Sequence, residues 1–227
     1  MAKSVTCVVV GPTGSGTNAD YICDGTADQV EINSAITTAS AASSSTPSVV
    51  RLLPGTYTVD APIFMKANVV LEGSGLGVSF IQVAAAFPNA NSEVIIAAGT
   101  ASGTDTVVNA PVIGDTALGA SSFAGYAPGD HCILYSADDF ESTSDNAGRK
   151  RGEFVRVESV ASTTMNIYGM VRDAYTTTPA IQKINLAENM GLRNFDVKDL
   201  GTARNPIPAL IRFRYARNLL CEQPSTA

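Results

Sequence analysis

Tryptophan is absent from the 227 residues, histidine occurs once (His131), and aromatic residues make up 7%. Without indoles, a carbohydrate groove of stacked tryptophans is excluded. One histidine and four scattered cysteines leave no zinc-ligand set. Cys7, Cys23, Cys132 and Cys221 include no Cys-x-x-Cys pair. Buried free thiols are therefore expected, and a Cys7–Cys23 contact is left open should their segments pack side by side. Charged residues reach only 16%, with a net charge of −6 and a pI of about 4.7. A phosphate backbone requires a basic face, so nucleic acid is excluded as a primary partner. The one basic cluster, Arg149-Lys150-Arg151, follows Asp138, Asp139, Glu141 and Asp145 and reads as a solvated loop. No run approaches the ~18 apolar residues of a membrane-spanning helix. The apolar stretch after Met1–Ser4 is too short for a signal peptide, so a soluble protein made in a cytoplasm is expected.

What is present is short. From Val49 to Val83, β-branched runs alternate with Gly, Pro and Asn: Val49–Leu53, Tyr57–Val59, Ala61–Val70 and Ser79–Val83, with Pro54-Gly55 and Gly73, Gly75 and Gly77 at the bends. None is long enough for a helix, and no two-residue turn marks a simple hairpin. Strands that recur in this way predict a coil of short parallel strands with rungs stacked at ~4.8 Å.

The flanks fit such a coil. Val5–Val10 reads as a buried strand. Gly11–Thr17 misses the phosphate-cradling loop because Thr17 and Asn18 stand where Lys and Ser/Thr are required, so a flexible connector is the better reading. Thr26 and Gln29 fit a capping box, and Ile32, Ala35, Ile36 and Ala39 fall at helical spacing. An amphipathic helix over Ala27–Ala42 is expected, lying over the exposed edge of the first rung as a lid. From Val107 the spacing lengthens (Val107–Val112, Thr116–Leu118, His131–Tyr135, Glu153–Val160, Thr164–Tyr168), which predicts an inserted antiparallel subdomain. Ala180–Ile184 is read as the resumption of the coil. Asn68, Asn189 and Asn218 each precede a strand and suit left-handed corners. The expected divisions are 1–26, N-terminal strand and connector; 27–102, capping helix and first rungs; 103–178, inserted β-rich subdomain; and 179–227, resumed rungs. After the last strand no second cap is visible before Ala227, so the last rung is expected to be covered by another chain or followed by more coil.

Three passages carry a family resemblance. Ala19–Ile36 resembles the N-terminal motif of right-handed parallel β-helix proteins of the pectate-lyase type, many of which occur in phage tails and tailspikes. Leu52–Val59 with Asn68–Gly75 is similar to that family's first full turn. Gly129-Asp130 with Gly152–Val157 resembles the β-insertion that several members carry. The fold implied is all-β: a right-handed parallel β-helix with an N-terminal capping α-helix and a small antiparallel insertion. The resemblance further implies a virion tail fibre, tailspike or minor tail protein, homotrimeric, assembled with other tail proteins and facing host-surface polysaccharide. A polysaccharide lyase or hydrolase on the same scaffold is the alternative. No position matches the family's catalytic residues, and no cofactor, metal or membrane insertion is implied.

Glycan cleavage requires paired carboxylates. Two acid sets are available: Asp138, Asp139, Glu141 and Asp145 beside Arg149–Arg151, and Asp196 and Asp199 with Arg193 and Arg204. Asp196 and Lys198 alternate with Phe195 and Val197, so both are expected to face outward, where charge needs no catalytic explanation. His131 precedes an apolar strand and reads as structural.

Overall fold

A short alternating strand buries only every second side chain and leaves both edges unpaired, so it gains stability by stacking on others of its kind. A computed structural model describes residues 6–43, 46–88, 93–139, 150–199, 210–222 and 225–226. Two strands, β1 (Cys7–Gly11) and β2 (Tyr21–Ile22), precede helix α1 (Gln29–Ala42). The first rung is β3 (Ser48–Leu52), β4 (Gly55–Val59) and β5 (Ile63–Phe64). The second is β6 (Val69–Glu72), β7 (Ser79–Val83) and β8 (Ile95–Ala98). An inserted run follows: β9 (Thr100–Val107), β10 (Ala117–Gly119), β11 (His131–Asp139), β12 (Lys150–Val160), β13 (Thr164–Ile167) and β14 (Ala180–Asn185). The coil then continues through β15 (Ala187–Glu188), β16 (Gly191–Arg193), β17 (Asp196–Asp199) and β18 (Ile211–Arg214). A fourth rung begins with β19 (Ala216–Arg217), β20 (Leu220–Glu222) and β21 (Ser225–Thr226). Residues 1–99 with 187–227 form one compact unit, and residues 100–186 form another.

The coil is parallel on three faces, in the orders β1-β3-β6-β16-β20, β4-β7-β17-β21 and β5-β8-β18. Register places like on like. Val50, Leu71 and Leu192 stack inside the first face, and Tyr57, Ile81 and Val197 inside the second. Each fully buried aliphatic contributes roughly 1.5–3 kcal/mol. The outward row of the first face is an ion ladder in which Glu72 accepts from Arg51 and Arg193, both at 3.3 Å. Pairs this exposed are worth about 0–1 kcal/mol each, so the inward stacks hold the coil.

The corners use asparagine as its chemistry suggests. Asn68, Asn189 and Asn218 have φ of +60°, +54° and +53°. The Asn189 amide donates to Asn68 Oδ1 at 2.9 Å, and the Asn218 amide donates to Asn189 Oδ1 at 3.1 Å. Asn189→Ala removes two such bonds and places an alanine in left-handed backbone, an expected loss of about 2–3 kcal/mol. Asn189→Gly frees the backbone and should recover about half of that in urea unfolding. Equal losses for the two variants would refute the backbone share.

Helix α1 covers the first rung through Ile32, Ala35, Ile36 and Ala39, all fully buried. The expected start and cap are corrected. The helix begins at Gln29, and the Thr26 hydroxyl donates to Asp24 instead of capping it. The polar residues of its first turns serve the free edge of the rung. Asp28 accepts the Thr58 N–H (2.6 Å) and the Gly25 N–H (2.8 Å). Gln29 accepts the Asp60 N–H (3.1 Å), and Asn33 accepts the Phe64 N–H (2.8 Å). β1 covers the remaining edge, that of β3. β1 is thus a strand of the coil itself, not a separate N-terminal segment.

The inserted unit is a single antiparallel sheet in the order β10-β13-β12-β11-β14-β9 over a core that includes Leu118, Phe123, Leu134, Val157, Met165 and Ile181. Two boundary readings are corrected here. Ala180–Ile184, read as resumed coil, lies in β14, which pairs antiparallel with β11 and β9. Residues 100–102, grouped with the first rungs, are the start of β9 in the inserted sheet. The coil therefore resumes at Ala187, not at 179. The run Val107–Val112 is strand only at its first residue.

Candidate functional site

Among the described residues, the members of the acid sets singled out from the sequence bond to backbone and to neighbouring side chains. Asp138 lies at the end of β11 and accepts from Thr176 N (2.7 Å), Thr177 N (3.1 Å), Thr176 Oγ1 (2.9 Å) and Ser136 Oγ (2.8 Å). The bonds from Thr177 and Thr176 hold its carboxyl well below the ordinary value of 3.8. A depressed carboxyl contributes stability that is complete above the unfolded value and fades only as pH falls through the lower folded one. The Thr176 and Thr177 amides should therefore stay protected from exchange well below pH 4 and lose protection only as the pH falls through the depressed folded value. Asp138→Asn should lose much of that protection at every pH.

Asp139 pairs with Lys150 at 2.7 Å. Arg151 binds Asp173 at 2.9 Å and the carbonyls of Asp139 and Ala174. Glu141, Asp145 and Arg149 lie outside the described residues, as do Arg204 and the side chain of Asp199. Asp196, expected to face outward, is buried under the Gly75–Val78 turn and accepts the Gly77 N–H at 2.6 Å. Lys198 does lie on the outside, 3.7 Å above the Phe80 ring. His131 sits in register between Arg156 and Ile184.

All four cysteines are free thiols, Cys7 and Cys221 exposed, Cys23 and Cys132 buried. Cys23 Sγ and the carboxylates of Asp28 and Glu31 have ligand atoms within 4.8 Å of one another. Both Asp28 oxygens already accept backbone N–H groups, and burial pushes the Cys23 thiol up to about 12. The Asp28 carboxylate is thus committed to the backbone of the Gly25 turn and the first rung.

A hollow of about 350 Å³ on the inserted unit gathers chemistry that was not singled out from the sequence. β12 alternates buried Val155 and Val157 with outward Phe154 and Arg156, while the segment after β13 brings Tyr168, Met170 and Arg172 alongside. Phe154, Tyr168 and Met170 are 67%, 55% and 59% exposed. The Arg156 guanidinium stacks 5.1 Å from the centre of the Tyr168 ring. The Glu153 carboxylate accepts the Arg172 backbone N–H at 3.0 and 3.2 Å and the Tyr175 hydroxyl at 3.1 Å. Burial, then the Glu153 charge, push the Tyr175 hydroxyl well above the ordinary phenol value and keep it a donor. The legible signal was Phe154-Val155, two large apolar residues in succession in an otherwise alternating strand.

The family model for rhamnogalacturonase A/epimerase, pectate-lyase-like, matches residues 16–118. No curated protein matches the chain. Among solved structures, it resembles the Gp54 tailspike of Acinetobacter baumannii bacteriophage AP22, in complex with A. baumannii capsular saccharide. The TM-score is 0.65 and the identity 17%, over 89% of this chain and 32% of that one. The Pseudomonas phage phi297 tailspike gp61 gives 0.63 and 16% over 88% and 31%, and the Pseudomonas phage LKA1 tailspike gp49 gives 0.54 and 20% over 75% and 29%. The chain spans about a third of the length of each, and at these identities the likeness is one of fold.

Proposed function

We infer, from a chain whose fold is the parallel β-helix on which phage tailspikes are built, that this protein is a bacteriophage tail component serving attachment to the host surface. One observation carries the reading: the fold resembles, at a TM-score of 0.65 over 89% of the chain, that of a tailspike whose structure is a complex with capsular saccharide. A stack of three-faced rungs suits the task physically. It is stiff along its axis, and it presents long flanks on which side chains stand in fixed register. On this reading the spike is a homotrimer in the virion tail, in contact with other tail proteins, and its partner is host-surface polysaccharide.

The test combines three measurements on the full chain: mass spectrometry of purified virions, light scattering of the protein, and binding to a panel of purified bacterial capsular polysaccharides. The expected outcome is a tail-associated trimer that binds at least one polysaccharide and competes with virion adsorption. A monomer that is missing from virions would overturn the reading. The match to a family model named for enzymes also favours a polysaccharide-degrading activity. Shortening of the bound polysaccharide on prolonged incubation would establish that second reading.

A further inference from the structure

The hollow on the inserted unit combines two features that ordinary surface chemistry does not bring together. Single exposed apolar residues are unremarkable on a protein surface. Here Phe154, Tyr168 and Met170 converge on one concavity. Beside them stand two guanidinium groups, those of Arg156 and Arg172, neither of which reaches a carboxylate among the described residues. By contrast Arg51, Arg151, Arg193, Arg212 and Arg217 are all ion-paired. The one carboxylate in the hollow, Glu153, is already engaged by the Tyr175 hydroxyl and the Arg172 backbone N–H. The local balance is thus positive on a chain of net charge −6.

We propose that this hollow is a saccharide subsite selective for acidic sugars, an inference that rests on the attachment reading above. The C–H faces of a pyranose ring suit the flanks of Tyr168 and Phe154. A ring carboxylate suits the planar fork of Arg172, with Arg156 as a second positive charge held over Tyr168. The volume, about 350 Å³, is at the small-ligand end of the range for binding sites and is too confined for a flat protein interface. A neutral sugar would leave the guanidinium groups uncompensated, so selectivity for carboxylate follows from the same geometry.

The test uses the full chain, a panel of hexuronate-containing and neutral capsular polysaccharides, and each acidic polysaccharide after reduction of its carboxylates to alcohols. Tyr168→Ala should weaken binding to the acidic form at least about tenfold. Arg172→Ala should produce a similar loss on the acidic form and little change on the reduced one. Unchanged melting temperatures would confirm that both exposed replacements leave the fold intact. If the wild-type chain binds a polysaccharide and both variants bind it equally well, the subsite is overturned while the attachment reading stands. If acidic and reduced forms bind alike, selectivity for acidic sugars is overturned. If no polysaccharide binds at all, both readings fall together.

Discussion

Gly73→Ala is expected to lower the melting temperature of the chain by roughly 6–12 °C, the shift that about 3 kcal/mol produces in a protein of this size. Gly73 follows β6 at the bend between two coil faces, where its N–H donates to the Arg193 carbonyl at 2.9 Å. The next rung comes so close that a methyl group at position 73 would meet the Asn194 carbonyl oxygen and lie 2.7 Å from Phe195 Cβ. Both obstacles are stiff: one is backbone, and the other is the root of a fully buried ring. The rungs would have to separate, at the cost of the stacking that holds the coil. Gly77→Ala is the control. Gly77 has φ +72° with open space around it, so only backbone strain of about 1 kcal/mol applies. Thermal melts of the two variants compare close approach with backbone strain directly. Equal melting temperatures would refute the close approach at Gly73.

Asp28→Ala should cost a comparable ~3 kcal/mol by a different route. Asp28 is fully buried, and its two oxygens accept the N–H groups of Gly25 and Thr58. Alanine leaves both donors unsatisfied where water does not replace the carboxylate, at about 1–3 kcal/mol each. Part of this is offset because burial raises the Asp28 carboxyl above its ordinary value. The sign is that of a penalty: ionised Asp28 is held at a cost above its folded value, and protonation relieves that cost as pH falls below it. Asp28→Asn keeps one acceptor and should fall between wild type and Asp28→Ala in denaturant titrations. Wild-type stability for Asp28→Ala would refute the edge-capping role.

The coil could be read from sequence because its determinants are local. Val50, Leu52, Tyr57 and Val59 fall at period two, Ile32, Ala35, Ile36 and Ala39 at helical spacing, and Asn68, Asn189 and Asn218 are residues that accept left-handed backbone. The insertion boundary could not be read, because Ala180–Asn185 has the same alternation whether its neighbours run parallel or antiparallel, and the choice of partner is set at long range. The capping box failed for a related reason. Thr26 and Gln29 have the right spacing, but Asp24 captures Thr26 locally, and the bare edge of β4 offers Gln29 a better partner near Asp60. The hollow beside Phe154 draws on residues from β12 and from beyond β13, so spacing alone does not bring them together.

The pairing of β9 with β14 bears on how the chain folds. Thr100 and Asn185, at the two ends of the inserted sheet, are register partners on adjacent strands. Once that sheet has formed, its ends are held a strand's width apart, and the long excursion becomes, for the coil, little more than a tight corner. Gly99 and Ala187, the coil residues on either side, donate to the carbonyls of the consecutive residues Arg214 and Tyr215. Closing a flexible loop costs an entropy that grows with the logarithm of its length, and the β9–β14 pairing shortens the loop that the coil itself has to close. The insert can thus differ in size or sequence without altering the winding of the coil, so the two units can vary independently.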